Sequence, residues 1–535
     1  MSDEKEFALL KSKFFTEKTM DNLIPQAKNG YIPLDLRADE RSITIHDSNV
    51  VMDSDRAMNK PIKITISQSP KNLIDWHDTT LNMKIAFCKR NNLDMNSAND
   101  NNSATVITAT DNVTYTYPLA LMQQIKLTIN GVLIETIDNP ADILHDKVVI
   151  GEIPYEFIKS FGETSGIMPD TSAYTLKDTT AGVENKVSGA QAWRTNELCV
   201  AEAKNPTATT TYDDEKKVYV TTVTLPNMSN PAGTKWGITN IGRAKAHDTI
   251  LKGDTATKAN WQTVSFRVPI KYIFDIFNVS QFIPHIDDVT IEFTQANTRA
   301  RFLKVPSDLK VDATPLGATC QIQSLLVSTT KYTLSPSDEK RVTAIKYEDK
   351  LYPFRRWKNE SAVINTTKIK HDSTYAGLIR SAYYITQNAD TTPNISQFIY
   401  NSSAGLYNTR KVVTVDDRKV CDGSIPNDIG NHWFNYDELK KSMPQYHDNG
   451  RGVYMTEKYY KDFCYNILNT QLSPNIMTEN NIKFRFDTKI RKLTEELTFS
   501  GDISAYNAKH IIVQEQGLHM TNKGGKSSGV LVMTQ

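Results

Sequence analysis

The sequence predicts an all-β chain in which one β-rich unit occurs twice in tandem. Three observations predict it: apolar side chains alternate at period two in segments spread along the chain, an Asn-Gly pair separates two such segments, and two composite patterns are echoed internally. Alternation at period two puts every second side chain on one face of a strand, as a half-buried sheet requires. It occurs at Ile62, Ile64 and Ile66, at Leu81, Met83, Ile85 and Phe87, and at Ile125, Leu127 and Ile129. It returns at Val264, Phe266 and Val268, at Val289, Ile291 and Phe293, and at Ile482, Phe484 and Phe486. Asn130-Gly131 lies between KLTI and VLIE, and both residue types tolerate the positive φ of a tight hairpin turn. Helical signals are few. Thr456 followed by EKYYKDFCYNILN predicts an N-capped helix with Tyr459, Phe463 and Ile467 on one face, and IPYEFIKSF (153–161) and KYIFDIFN (271–278) are shorter candidates.

Two polar stretches are too long to be plain connections. One spans 89–112; the other runs from Gly162 to about Asn260, where VYVTTVTLP (218–226) alternates and predicts strands inside a folded, outward-projecting insertion. The echo supplies the domain organisation. KYIFDIFNVSQFIPHIDDVTIEF (271–293) and YYKDFCYNILNTQLSPNIMTENNIKFRF (459–486) each give an aromatic stretch, an Asn, a Pro and an alternating strand. QIKLTINGVLIETIDNPADIL and KVVTVDDRKVCDGSIPNDIGNHWFNYDEL each give a hairpin, a Pro and an aromatic or apolar helical stretch. The boundary between copies falls near 330–355, where LSPSDEKR reads as an exposed crossing.

Composition narrows the function classes. Lys plus Arg total 62 against 61 Asp plus Glu in 535 residues, so a net charge of +1 supplies no global field toward nucleic acid or anionic lipid. A hydrophobic content of 39% and a mean hydropathy of −0.45 exclude a membrane-embedded protein, and no apolar run approaches the ~18 residues of a spanning helix. MSDEKEFALLKSKFF breaks its only apolar stretch with charges, which is unlike a secretory signal. Cys88, Cys199, Cys320, Cys421 and Cys464 are sparse and far apart, giving no zinc clip or redox pair and reading as reduced intracellular thiols.

Each catalytic template meets a plainer reading. NKGGKSSG near the C-terminus has Met520 where a phosphate loop needs Gly, and reads as a flexible tail. Gly162-Glu163-Thr164-Ser165-Gly166 is one place out of register for a nucleophile elbow, and reads as a solvated loop. His77 in DWHDTT and His285 in IPHIDD stand beside acids but show no metal-ligand spacing, and read as hydrogen-bonded loop histidines. Asp287-Asp288 and Asp416-Asp417 read as turn residues rather than a carboxylate dyad or calcium ligands, and Cys464 as buried core rather than nucleophile. Arg355-Arg356-Trp357-Lys358 combines cations with stacking area, yet it is short and isolated and reads as a structural patch at the domain junction. No catalytic, cofactor-binding or metal residue is assigned, and a scaffold role remains.

The ordered segments DWHDTTLNMKIAFCK, YPLALMQQIKLTINGVLIET and VPIKYIFDIFNVSQFIPHIDDVTIEFTQANTRARFL resemble the first half of the double jelly-roll major capsid proteins of polinton-like viruses, virophages and large DNA viruses. KVVTVDDRKVCDGSIP, with Asp417-Arg418 in place of the expected Asn/Asp-Gly turn, and GVYMTEKYYKDFCYNILNTQLSPN with NNIKFRFDTKI are similar to the second half. The resemblance covers about 40–520. It implies two eight-stranded jelly rolls: an N-terminal arm at 1–30, a first roll at 31–335 with its polar insertion at about 163–260, a second roll at 336–520, and a C-terminal tail at 521–535.

It also implies a homotrimer forming a pseudo-hexagonal capsomer that tiles an icosahedral shell of a double-stranded DNA virus, assembled inside the host cell. Neighbouring capsomers, penton and minor capsid proteins are the implied partners, with no specific nucleic acid. The first ~30 residues, carrying Phe7, Leu10, Phe14 and Phe15, stay open between an arm that contacts a neighbour or an internal membrane and a disordered terminus. A carbohydrate-binding or glycoside-cleaving β-sandwich is the rival class. It needs a concave face with exposed tryptophan and paired carboxylates, and Trp76, Trp193, Trp236, Trp261, Trp357 and Trp433 are widely dispersed.

Overall fold

The computed structural model describes residues 38–48, 61–90, 104–108, 111, 113–167, 173–178, 184–187, 207–213, 218–225, 249–255, 260–279, 281–297, 299–304, 310–311, 317–347, 350–387, 407–423, 431–443, 460, 467–472, 477–478, 481–482, 490–504, 506–523 and 526–532. Among them the alternating segments become strands. In the first half β1 (Ala38–His46), β12 (Gly317–Leu334), β3 (Asn72–Arg90) and β10 (Gln262–Pro269) pair in that order. A second sheet orders β2 (Ile62–Ser67), β11 (Asp288–Gln295), β4 (Met122–Ile129) and β5 (Val132–Asp138). Ile62, Ile64 and Ile66 point inward against Phe293, Ile291 and Val289, so the alternation in both strands serves one core.

The second half repeats the plan. β13 (Lys350–Ser361), β20 (Tyr506–Lys523), β15 (Leu378–Gln387) and β18 (Ile467–Gln471) form one sheet. β14 (Lys368–Ala376), β19 (Ile490–Phe499), β16 (Asn408–Val415) and β17 (Arg418–Gly423) form the other. In each half the first, eighth, third and sixth strands make one sheet and the second, seventh, fourth and fifth the other. That is jelly-roll order, and the chain is a double jelly roll.

The matching hairpins show why the echo exists. Asn130 and Gly131 have φ of 49° and 78°, and Asp416 and Asp417 have 49° and 62°. Both pairs therefore supply the two positive φ angles of a tight turn that keeps the strand twist. The second turn is thus Asp416-Asp417, with Val415 paired to Arg418, one place earlier than the sequence comparison set it. Asn130 also fixes the loop before β11: its Oδ1 accepts from the Asp287 and Asp288 N–H groups at 2.8 and 3.1 Å, and its Nδ2 donates to the His285 carbonyl at 2.8 Å.

After each hairpin comes a helix, α1 (Pro140–Val149) in the first half and α6 (Trp433–Lys440) in the second. IPYEFIKSF becomes α2 (Tyr155–Ser165), and KYIFDIFN becomes two single turns, α3 (Ile270–Ile273) and α4 (Ile276–Val279). Within the insertion, β8 (Thr207–Asp213), β9 (Val218–Leu225), β6 (Ala173–Asp178) and β7 (Glu184–Val187) form a sheet of their own, as the alternation at 218–226 predicts.

Several expectations are corrected. Ile467–Asn469 is not the end of a helix but the start of β18, where Ile467 and Leu468 are both buried; of the rest of 456–466 only Tyr460 is described. The seventh strand of the second half is Ile490–Phe499, whereas at 481–486 the structure describes only a two-residue strand, Asn481–Ile482; Phe484 and Phe486 lie outside the described residues. The aromatic runs of the first echo are therefore out of register, one following the sixth strand and the other preceding it. The crossing between halves is a helix, α5 (Pro336–Lys346), started by Pro336 and by Ser335 Oγ accepting from the Asp338 N–H. NKGGKSSG is no tail: β21 (Lys526–Val532) runs back along β20 with Lys523 opposite Lys526, and Gly524-Gly525 is a hairpin signal in its own right.

Candidate functional site

The two jelly rolls meet through a polar seam set in a continuous apolar core. The strand β20 carries Ile511, Ile512 and Val513 in succession, an apolar run that suits a sheet covered on both faces. Ile512 points into the second sandwich, while Ile511 and Val513 join the core that begins at Ile62 in the first half. Trp357, Ala382 and Tyr384 lie on that same outward face and enter the same core.

Polar groups are threaded through this contact. Arg380 of β15 donates to Asp146 of α1, Nη1 to Oδ1 at 3.1 Å with a second, shorter bond from Nη2, and Tyr384 donates its hydroxyl to the same carboxylate. Asn469 Oδ1 takes a further Arg380 bond at 3.0 Å. Burial opposes the Arg380 charge, but the Asp146 carboxylate outweighs it and holds the guanidinium above its usual range. Along β13, period two sends Arg355, Trp357 and Asn359 toward the first half. The Arg355 N–H donates to Asp275 Oδ2 at 3.0 Å and its guanidinium to Glu152. The backbone N–H of Trp357 donates to Glu135 Oε1 at 3.0 Å, and Asn359 Nδ2 to Asp142 Oδ2 at 2.7 Å. The Trp357 ring has Lys147 Nζ at 5.1 Å and Arg380 Cζ at 5.4 Å from its centroid, both within cation–π reach. Burial pushes the Glu135 carboxyl up to about 7, against the pull of Lys147.

Most of the candidates among the described residues have a structural employment. The cluster Arg355-Arg356-Trp357-Lys358 is the junction patch: Arg355 and Trp357 face the first half, and Lys358 lies on the opposite face with Nζ 5.6 Å from the Tyr375 ring. His285 pairs through Nδ1 with the Tyr352 hydroxyl at 2.8 Å, again across the halves, and Asp287 pairs with Lys346 of α5. His77 Nε2 meets the Asn278 carbonyl at 3.1 Å, and burial takes its pKa down to about 4. Asp416-Asp417 is a turn, while Asp288 begins β11. Gly162–Gly166 is not a loop: it closes α2, with Gly166 at φ 69° as the left-handed cap. Cys464, Trp193 and Trp236 lie outside the described residues. The acids that answer the cations, Glu135, Asp142, Asp146 and Glu152, were not picked out in the sequence. For Asp142 and Asp146 the one signal is the unusual charge of PADILHDKVV, all of whose residues are buried.

This arrangement is a set of buried charge and hydrogen-bond contacts between the two halves. It fixes the relative orientation of two sandwiches, because a buried pair tolerates little misalignment. The comparisons agree with the fold. A chain in the cryo-EM structure of the Sputnik virophage aligns with a TM-score of 0.52 at 9% identity, covering 94% of this chain and 90% of that one. The Faustovirus major capsid protein aligns with a TM-score of 0.51 at 10% identity, covering 92% of each. No family model and no curated protein matches the sequence.

Proposed function

We propose that this chain is a major capsid protein of a double-stranded DNA virus, a building block of the virion shell and not an enzyme. The observation that carries the reading is the strand-for-strand duplication, two jelly rolls of identical sheet order locked side by side through one core. Three such chains around a threefold axis present six sandwiches, so the trimer has the pseudo-hexagonal outline that tiles a shell face. The full-length alignment with the Faustovirus major capsid protein supports this reading. Ile43 and Ile45, 64% and 63% exposed on the edge strand β1, supply apolar surface for a neighbouring subunit. The protein resides in the capsid after assembly inside the host cell, contacting its own copies, neighbouring capsomers, and penton and minor capsid proteins. Residues 1–30 serve as an arm toward a neighbour or an internal membrane.

The carbohydrate rival is disfavoured by the tryptophans: of the four described, Trp76, Trp261 and Trp357 are buried and Trp433 alone is exposed. Mass photometry of purified protein is expected to show a complex of three 60.3 kDa chains, and negative-stain images a block with a hexagonal footprint. A stable monomer at micromolar concentration overturns the reading. Deleting residues 1–25 and still recovering normal particles removes the arm from it.

A further inference from the structure

Inside the second sandwich the two sheets face each other across a polar cluster that the seam does not use. On β13 and β20, Glu360 stands directly opposite His510, and on β14 and β19, His371 stands opposite Glu495. One ligand atom from each of Glu360, His371 and His510 lies within 4.8 Å of the others. We propose that these three side chains bind a divalent transition-metal ion, zinc by chemical preference, which ties the two sheets of the second jelly roll together.

Four features of the cluster support the assignment. First, the donor set is two imidazoles and one carboxylate, which suits zinc and leaves a fourth position for water. Calcium and magnesium prefer all-oxygen shells and are poorly served here. Second, His510 is fully buried and its Nε2 lies 3.0 Å from Glu495 Oε2, while its Nδ1 has no hydrogen-bond partner. A carboxylate accepting one ring N–H leaves the other nitrogen with a lone pair, which is how metal-bound histidines are commonly oriented.

Third, Glu495 is itself held: Ser381 Oγ donates to its two oxygens at 2.7 and 2.9 Å, and Tyr383 donates to Oε2 at 3.0 Å. The Tyr383 ring also stacks on His510 at 4.2 Å, so the imidazole has little freedom to turn away. The same contacts exclude a serine nucleophile, since Ser381 and Glu495 meet the same nitrogen of His510 rather than opposite ends of the ring. Fourth, the outer ligands are already gathered: Tyr375 donates its hydroxyl to Glu360 Oε2 at 2.6 Å and contacts His371 Nε2 at 2.8 Å. Glu360 Oε2 and His371 Nε2 are 3.9 Å apart. Zinc bonds of ~2.0–2.1 Å need donor atoms somewhat closer than that, a rotamer adjustment that the partly exposed Glu360 and His371 can make.

The test uses the full-length protein, stripped with a chelator, loaded with zinc chloride and desalted. Mass spectrometric metal analysis is expected to find about one zinc per chain in the parent, and under about a tenth of that in His371→Gln and Glu360→Gln. Cobalt in place of zinc should give the visible absorption of a tetrahedral site in the parent and lose it in both variants. Glu495→Gln, a positioning change, should weaken zinc binding by ~10–100-fold without abolishing it. Zinc should raise the melting temperature of the parent and leave that of His371→Gln unmoved. Circular dichroism in chelator checks that each variant folds, and if one does not, the other decides. A parent that retains no zinc, or variants that retain as much as the parent, overturns the proposal. Neither result bears on trimer formation, so the capsid reading is tested separately.

Discussion

Replacing Asp146 by alanine is the sharpest perturbation of the seam. It removes the carboxylate that accepts from both terminal nitrogens of Arg380 and from the Tyr384 hydroxyl. Arg380 has a side chain 2% exposed, so its charge stays buried, with Asn469 Oδ1 at 3.0 Å and the Trp357 ring at 5.4 Å still beside it. Breaking a buried pair from one side costs about 3–5 kcal/mol, and these two contacts place the expectation near the lower end. Urea unfolding followed by tryptophan fluorescence reads the loss, because Trp357 sits in the seam beside Arg380. The double change Asp146→Leu with Arg380→Met removes both charges and is expected to return to within about 1 kcal/mol of the parent, since a buried pair exchanged for packed apolar groups is often neutral. The reasoning fails if Asp146→Ala lies within about 1 kcal/mol of the parent, or if the double variant is no more stable than the single one.

Four further outcomes follow from the same geometry. Gly131→Ala is expected to cost about 1–2 kcal/mol from its φ of 78° alone, since an added Cβ meets nothing within 4 Å. Gly377→Ala should cost more by thermal melting, because at φ 61° the Cβ would also stand 2.5 Å from the Glu515 carbonyl oxygen. Glu135 is pushed from 4.5 up to about 7, so the folded state holds its proton more tightly than the unfolded chain does. Its contribution is therefore fully present below about 4.5 and is lost as pH rises through about 7, on the order of 3 kcal/mol in all, and Glu135→Gln should flatten that part of a stability–pH curve. His77 acts in the opposite sense: with its pKa lowered to about 4, it withdraws stability as pH falls from 6.5 toward 4, a slope that His77→Gln should remove.

The sequence was legible wherever a strand has one buried face. Ile62 to Ile66, Ile125 to Ile129 and Val289 to Phe293 alternate because their other side meets solvent, and all lie in the strands expected. β15 and β20 were missed for the opposite reason: LIRSAYY and HIIV are covered on both sides, so no period of two survives. The hairpin echo was sound because turn chemistry is local. The aromatic echo matched composition without register, since KYIFDIF follows its sixth strand and YYKDFCYN precedes its own. The junction role of Arg355 and Trp357 could be read from their isolation, but their partners Glu152, Asp275 and Glu135 could not. Those partners come from a different jelly roll, and only the folded chain brings them near. The Glu360, His371 and His510 cluster has no ligand spacing in sequence because it is assembled from three strands of two sheets.

Because one apolar core draws on both halves, from Ile62 to Met520, the described residues show no hinge between them. Any bending of a larger sheet of these molecules must then be taken up where separate chains touch. On the capsid reading proposed above, each copy is a stiff brick, and the radius of the shell is decided at the mortar.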